Sequence, residues 1–162
     1  MNKSILLTIV AVAGLDRITK HLVERSIPIY GGIDVIPGFF RLTHLENPGA
    51  AFSFFADSAS QWRGPALIGF SIAALVIISV VLWRNRQQTN VTTIALALIF
   101  GGTLGNLWDR VTTGQVTDFL DFYAGSHHWY PFNVADSAIV CGTLVLAATM
   151  LLPAKKASSR PE

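Results

Sequence analysis

Charge and cysteine are both scarce in this sequence. Only 14% of the 162 residues are Asp, Glu, Lys or Arg, whereas soluble domains contain about 25%. This shortage, with a net charge of +2, disfavours a disordered chain, a charge-rich coiled coil and a nucleic-acid-binding domain. The single cysteine, Cys141, excludes an internal disulfide framework and a zinc site built from several cysteines. A membrane protein or an unusually apolar globule remains, and the length suits one domain.

Four long apolar runs decide between these two classes. A bilayer core about 30 Å thick is crossed by a helix of about 20 mostly apolar residues. Runs of this kind predict transmembrane helices at about 4–23, 64–83, 91–108 and 133–152. The predicted fold class is an all-α integral membrane protein with four transmembrane helices. Residues 1–154 form its single membrane domain, and residues 155–162 form a polar cytoplasmic tail.

The first run also resembles a cleavable signal peptide. Lys3 is followed by a short apolar stretch and by an A-x-A-like sequence at residues 11–13. The apolar character resumes after Lys20, which favours a helix that is retained.

Basic residues near the ends of the runs predict the orientation. Cytoplasmic flanks of membrane spans are enriched in Lys and Arg. Four spans place the following basic residues on one side, predicted to be the cytoplasm: Lys3, Arg84, Arg86, Lys155, Lys156 and Arg160. The loops at about 24–63 and 109–132 then face outward.

The longer outer loop has β-favouring runs at residues 39–45 and 50–55, separated by Glu46, Asn47, Pro48 and Gly49. This pattern predicts a small hairpin-like sheet that rests on the outer membrane surface. An irregular loop anchored by its aromatic residues is the alternative.

Ionisable and amide side chains gather at the outer ends of the spans. A charge in or against lipid is costly and rare, so it indicates a functional site. The predicted topology brings these residues to one depth near the outer face: Asp16, Arg17, Lys20, Asn106, Asp109, Arg110, Asp118, Asn133 and Asp136.

Asp118 and Asp136 form a possible acid–base pair. Asp136 lies one turn into the fourth helix, where Asn133 can serve as N-cap, and Asp118 lies in an apolar segment (116–122) predicted to re-enter toward the membrane. Two carboxyl groups in one low-dielectric pocket share a proton, and such a pair suits water attack on an amide. Alternatively, Asp136 only caps its helix and Asp118 faces water, or Asp121 takes the place of Asp118.

Other candidate groups favour structural roles. Asp109 and Arg110 are expected to form ion pairs with Asp16 or Lys20. The pair His127 and His128 lacks further ligands, which indicates a polar loop and no metal site. Cys141 is expected to be an inert packed thiol, and the glycines at 101, 102 and 105 are expected to permit close helix packing.

Five segments, in order, carry a resemblance to a known family. They are Asp16 with Lys20 (D-x-x-x-K), residues 46–52 (N-x-G-x-A-F), residues 101–110 (G-G-x-x-G-N-x-x-D-R), residues 116–119 (V-x-D-F) and residues 132–136 (F-N-x-A-D). Over nearly its whole length the chain resembles bacterial lipoprotein signal peptidase, also called signal peptidase II.

The resemblance implies an aspartyl endopeptidase of the bacterial inner membrane. Its substrate would be a lipid-modified prolipoprotein, cut just before a cysteine that carries diacylglycerol. It implies inhibition by globomycin, contact with membrane lipid but not with nucleic acid, and no metal or other cofactor. It also implies a small cradle-like sheet and a mobile outer segment over the site.

The resemblance assigns roles to individual residues as well. Asp118 and Asp136 would be catalytic, and Asp121 would be a neighbour. The residues that would bind substrate or support the site are Asp16, Lys20, Asn47, Gly49, Asn106, Asp109, Arg110, Asn133 and Ala135.

Two functions without peptidase activity are the alternatives. A small transporter or proton-relay subunit could use the same acids, and a structural assembly partner would use none of them. Relay acids usually lie near the middle of the membrane, whereas these acids cluster at one boundary.

Overall fold

A computed structural model describes residues 2–49 and 62–151 of the chain. The elements, in chain order, are α1 (Lys3–Ser26), β1 (Gly32–Ile36), β2 (Phe40–Asn47), α2 (Arg63–Arg84), α3 (Val91–Thr112), β3 (Val116–Ala124), β4 (His127–His128) and α4 (Val134–Leu151). The mostly helical fold with one small antiparallel sheet agrees with the predicted class. The predicted strand at 50–55 and the polar tail at 155–162 lie outside the described residues.

Three helices, α2, α3 and α4, are long and apolar enough to cross a membrane. The sequence predicts four, and the difference is α1. This helix has 24 residues, but Asp16, Arg17 and Lys20 interrupt the apolar character of its second half. A spanning role for α1 therefore stays a prediction.

Helix α3 occupies the centre of the helical layer, where it packs against α1, α2 and α4. Its glycines make this possible. A Cβ atom at Gly101 would meet the side chain of Val12, and one at Gly102 would meet the backbone of Ala135. The prediction that these glycines serve close helix packing is confirmed.

The sheet has the strand order β1-β2-β3-β4, with all neighbours antiparallel. Strands β1 and β2 form a hairpin whose turn uses Gly38 at φ +80°, a backbone conformation that favours glycine. The run predicted at 39–45 is thus a strand, but it pairs with β1 and β3. The turn between β1 and β2 lies at residues 37–39, and Glu46 and Asn47, expected to separate two runs, still belong to β2.

The apolar segment at 116–122 is the first part of β3. Its return toward the membrane stays a prediction. Its backbone polar groups pair with β2, and the N–H groups of Phe119 and Leu120 donate to the Phe132 carbonyl. Phe122 stacks on Phe40 of β2 and on Phe132, with ring centroids 4.7 and 5.9 Å apart. Strand β3 follows α3 directly and is an inner strand of the sheet, and β4 lies between it and α4 in the chain.

Candidate active site

Asp118 of β3 and Asp136 of α4 line one cleft of about 580 Å³. Asn133 contacts both of them. Its side-chain Nδ2 donates to Asp118 Oδ1 at 2.7 Å, and its backbone N–H donates to Asp136 Oδ2 at 3.3 Å. The two carboxyl groups that the sequence analysis paired are therefore brought together by one asparagine.

The local sequence explains the position of Asp136. Asn133 precedes α4, and its Oδ1 accepts a hydrogen bond from the Asp136 backbone N–H at 2.9 Å. Because Asp136 also accepts from the Asn133 backbone, the two residues form a reciprocal N-terminal cap. The predicted N-cap is confirmed, and it leaves Asp136 Oδ1 directed away from the cap.

A second amide holds the other oxygen of each carboxyl group. Asn47, at the end of β2, donates from Nδ2 to Asp118 Oδ2 at 2.9 Å. Asn106 of α3 donates from Nδ2 to Asp136 Oδ1 at 2.7 Å. Each carboxyl group thus accepts two hydrogen bonds, which fixes its orientation toward the cleft.

A buried ion-pair cluster contacts the side-chain oxygen of Asn106. Lys20 is fully buried, and its Nζ lies 2.8 Å from Asp16, 2.6 Å from Asp109 and 3.1 Å from Asn106 Oδ1. Asp16 Oδ1 accepts from the Ala135 backbone N–H at 2.9 Å. The cluster joins α1, α3 and α4 beside the two acids, and it contains the predicted ion pair of Asp109 with Lys20.

Arg110 does not join this cluster, although an ion pair with Asp16 was expected. It lines the cleft instead, and its Nη1 donates to the Asn106 carbonyl at 3.4 Å. Arg110 follows Asp109 directly, and neighbouring residues on a helix lie on different faces. The guanidinium therefore supplies positive charge to the cleft that holds Asp118 and Asp136.

Burial changes the acidity of Asp118, which is 4% exposed. Its pKa is raised from 3.8 to about 6, mainly because burial disfavours the charged form. The hydrogen bond from Asn47 opposes the rise in pKa, and the nearby charge of Asp136 adds to it. A carboxyl group with this pKa holds its proton more readily than an ordinary aspartate does.

Asp121 is also buried, but its side chain has other partners than that of Asp118. Three positions along a strand lead to the opposite face, and Asp121 accordingly contacts His128 Nδ1 at 2.9 Å. His128 lies in β4, so the predicted polar loop is a short strand. Within residues 2–49 and 62–151, no three His, Cys, Asp or Glu side chains are grouped to hold a metal ion.

The cleft walls come from several elements. Gly49 and Leu67 line one side, and residues 129–132 line another with Trp129 and Tyr130. Ser137, Val140 and Cys141 extend the lining along α4. Cys141 is exposed, so the expectation of a packed thiol is wrong. Its position on α4 lies along the cleft.

A family model described as signal peptidase (SPase) II matches residues 8–152. The chain belongs to the signal peptidase II family. A lipoprotein signal peptidase of Geobacter sulfurreducens is 49% identical over 137 residues, which are 85% of this chain and 84% of that protein. Another, of Solibacter usitatus, is 43% identical over 148 residues, which are 91% of this chain and 90% of that protein.

Two solved structures of bacterial membrane enzymes, both determined by the in meso method, share the fold of this signal peptidase II family member. One, at 1.9 Å resolution, has a TM-score of 0.80 and 29% identity, and the match covers 93% of this chain and 94% of that one. The other, at 2.3 Å, has a TM-score of 0.81 and 28% identity, covering 97% and 94%. The resemblance drawn from the five sequence segments is confirmed.

Most residues of the signal peptidase II segments are assembled here. Ala51 and Phe52 of the N-x-G-x-A-F segment lie outside the described residues. Sequence reasoning missed Glu24 and Thr117, which contact each other at 3.0 Å beside Asp118. One signal was available: Arg17, Lys20 and Glu24 follow a helical spacing that places them on one face of α1.

Proposed function

We propose that this protein cleaves signal peptides from lipid-modified prolipoproteins with Asp118 and Asp136 as a catalytic pair. Membership in the signal peptidase II family establishes the peptidase class and decides against the transporter alternative. One observation carries the assignment of the pair. The two carboxyl groups come from different elements, face one cleft and are bridged by Asn133.

The two acids would have different roles. Asp118, with a pKa of about 6, holds the proton that polarises the substrate carbonyl oxygen. Asp136 accepts hydrogen bonds from Asn106 and from the Asn133 backbone, and it takes a proton from the attacking water. The resulting tetrahedral intermediate collapses as Asp136 passes the proton taken from water to the leaving amine and Asp118 recovers its proton from the hydroxyl group, which is general acid–base chemistry at a pair with unequal environments.

Arg110, three asparagines and one glycine around the cleft would orient the substrate and the two acids. Arg110, Asn47 and Gly49 line the cleft beside Asp118. Asn47, Asn106 and Asn133 each donate a hydrogen bond to one of the carboxyl groups. In this arrangement the peptide backbone would contact Arg110 and Gly49, while the three asparagines keep the acids in place.

The cleft would open at the outer side of the inner membrane. The Asn2 backbone N–H donates to the Arg86 carbonyl at 2.9 Å, so the start of α1 lies beside the end of α2. Lys3, Arg84 and Arg86 therefore gather at one end of the molecule, which the distribution of basic residues assigns to the cytoplasm. The two acids lie toward the opposite end of α1.

This depth suits the proposed substrate. A prolipoprotein with a spanning signal peptide and a diacylglyceryl-modified cysteine diffuses laterally in lipid. Its scissile bond lies near the outer boundary of the bilayer, which is where the cleft would lie. We also propose that globomycin blocks the cleft, as the family resemblance implies.

The assignment is tested with a gel-shift assay on a diacylated prolipoprotein, with and without globomycin. We expect Asp118→Asn and Asp136→Asn each to abolish cleavage while the protein still folds. Asp121→Asn is the matched control in the same strand, and it should retain cleavage. Full activity in either of the first two variants, or equal loss in the control, would overturn the pair.

A further inference from the structure

The two neighbours of Asp118 in β3 face helix α1. Successive side chains of a strand point to opposite faces, so Thr117 and Phe119 share the face that Asp118 does not use. Phe119 packs with Val23 and Ile27 at the end of α1. Thr117 Oγ1 donates to Glu24 Oε1 at 3.0 Å. One apolar and one polar contact thus hold the strand against α1 on either side of Asp118.

Glu24 is itself held in place along α1. Its Oε2 lies 3.3 Å from Arg17 Nη2, and Arg17 Nη1 lies 3.1 Å from Asp109 Oδ1. Arg17 and Glu24 are seven residues apart, or two helical turns, so both face the same side of α1. Asp109 then contacts Lys20, the lysine that donates to Asn106.

These contacts form a continuous path between the two acids. It starts at Thr117, next to Asp118, and reaches Asp136 through Glu24, Arg17, Asp109, Lys20 and Asn106. Helix α1 is thereby the common support of β3 and of the amide that holds Asp136. A rigid support shared by both carboxyl groups fixes their relative position.

We propose that Thr117 and Glu24 are positioning residues for the peptidase reaction. Pairing with β2 sets the face of β3 that Asp118 uses. The hydrogen bond between Thr117 and Glu24 anchors this part of β3 to α1 and so fixes how Asp118 is placed in the cleft. The proposal rests on the catalytic role of Asp118 proposed above. Neither Thr117 nor Glu24 contacts the reacting atoms, so their effect is exerted through Asp118.

Paired substitutions test this role with steady-state cleavage of a diacylated prolipoprotein by the full-length protein in detergent. Thr117→Val keeps the shape but removes the donor, and Glu24→Met removes the acceptor. We expect each to lower kcat about tenfold and to change KM less than about twofold, because misplacing a catalytic group affects the chemical step more than binding. Thr117→Ser and Glu24→Gln keep a donor and an acceptor, and both should retain kcat within about threefold.

A double substitution, one control variant and a folding measurement complete the design. Thr117→Val combined with Glu24→Met should be no slower than the slower single variant, since both remove one interaction. Thr8→Val removes an exposed hydroxyl contact to the Ser4 carbonyl within α1, and it should leave kcat unchanged. Thermal unfolding of each variant reports whether the protein is folded.

Three results would overturn the positioning role. They are full kcat in both Thr117→Val and Glu24→Met, a fall in kcat that only follows the folded fraction, and failure of Thr117→Ser and Glu24→Gln to restore kcat. Asp118→Asn, measured in parallel, separates the two proposals. If it is inactive while Thr117→Val is fully active, the catalytic pair stands and only the positioning role fails; if it is active, the pair itself fails.

Discussion

The Asp118 carboxyl group couples the stability of this protein to pH. Its pKa is raised from 3.8 to about 6, mainly by burial. The native state therefore keeps a proton that the unfolded chain releases, and the free energy of unfolding falls as pH rises from about 4 to about 6. The stability that this group provides is complete at low pH and is lost above its native pKa.

Asp118→Asn should remove this pH dependence. An amide does not ionise, so the melting temperature of the variant relative to the unmodified protein should rise by a few degrees between about pH 4 and pH 7. Melting curves in detergent at several pH values measure the difference. Asp34→Asn, at an exposed carboxylate of β1, is the control. A constant difference across this pH range would contradict the prediction.

Lys20 forms ion pairs with two buried acids, Asp16 and Asp109. It is fully buried between Asp16 and Asp109. Lys20→Met fills a similar volume but leaves Asp16 without its cation and Asp109 with Arg17 alone, and breaking a buried pair in this way costs about 3–5 kcal/mol.

We therefore expect Lys20→Met to lower the melting temperature strongly and to lose cleavage, because Asn106 also loses its support. Lys3→Met, at an exposed position of the same helix, should change the melting temperature little. Equal melting temperatures for the two variants would show that the cluster contributes no stability.

Among the elements, α3 determines how closely the helices approach. Its Gly102 lies against the backbone of Ala135, two residues after the Asn133 cap of α4. An added methyl group would have to displace the start of α4, which carries Asp136. Overpacking of a close contact typically costs about 1–3 kcal/mol.

Gly102→Ala should thus lower both the melting temperature and kcat. Gly69→Ala in α2 is the matched control, because a Cβ atom there meets nothing within 4 Å. Cleavage rates and melting curves of the two variants give the comparison. If Gly102→Ala cleaves as fast as Gly69→Ala, the separation of α3 and α4 does not limit the position of Asp136.

At the scale of the whole molecule, the prediction is the orientation of the helices in the membrane. Reporter fusions after Gln87 and His127 should report the cytoplasm and the outer side, respectively. The reason is that four spans with basic residues at one end place Gln87 between α2 and α3 on the basic side. An outward Gln87 would overturn the orientation, and the same side for both sites would show that α3 does not span.

The sequence by itself determined that this protein belongs in a membrane and which family it belongs to. Scarce charge and long apolar runs are properties of composition, and they predicted the helices to within a few residues. The Asn133 cap of Asp136 was also readable, because its partners are three residues apart. A contact between residues so close in sequence depends only on the backbone of one helix, so the sequence is enough to predict it.

Only the tertiary structure decided how the acids meet. Asn47 and Asp118 are 71 residues apart, and Lys20 and Asn106 are 86 apart. The distinction between Asp118 and Asp121 depends on which face of β3 each uses, and the pairing of that strand with β2 fixes the face. Spacing along the chain cannot supply this, because the register of a strand is set by partners distant in sequence. The composition placed the chain in a membrane, and packing around α1 and α3 brought its few buried charges to one cleft.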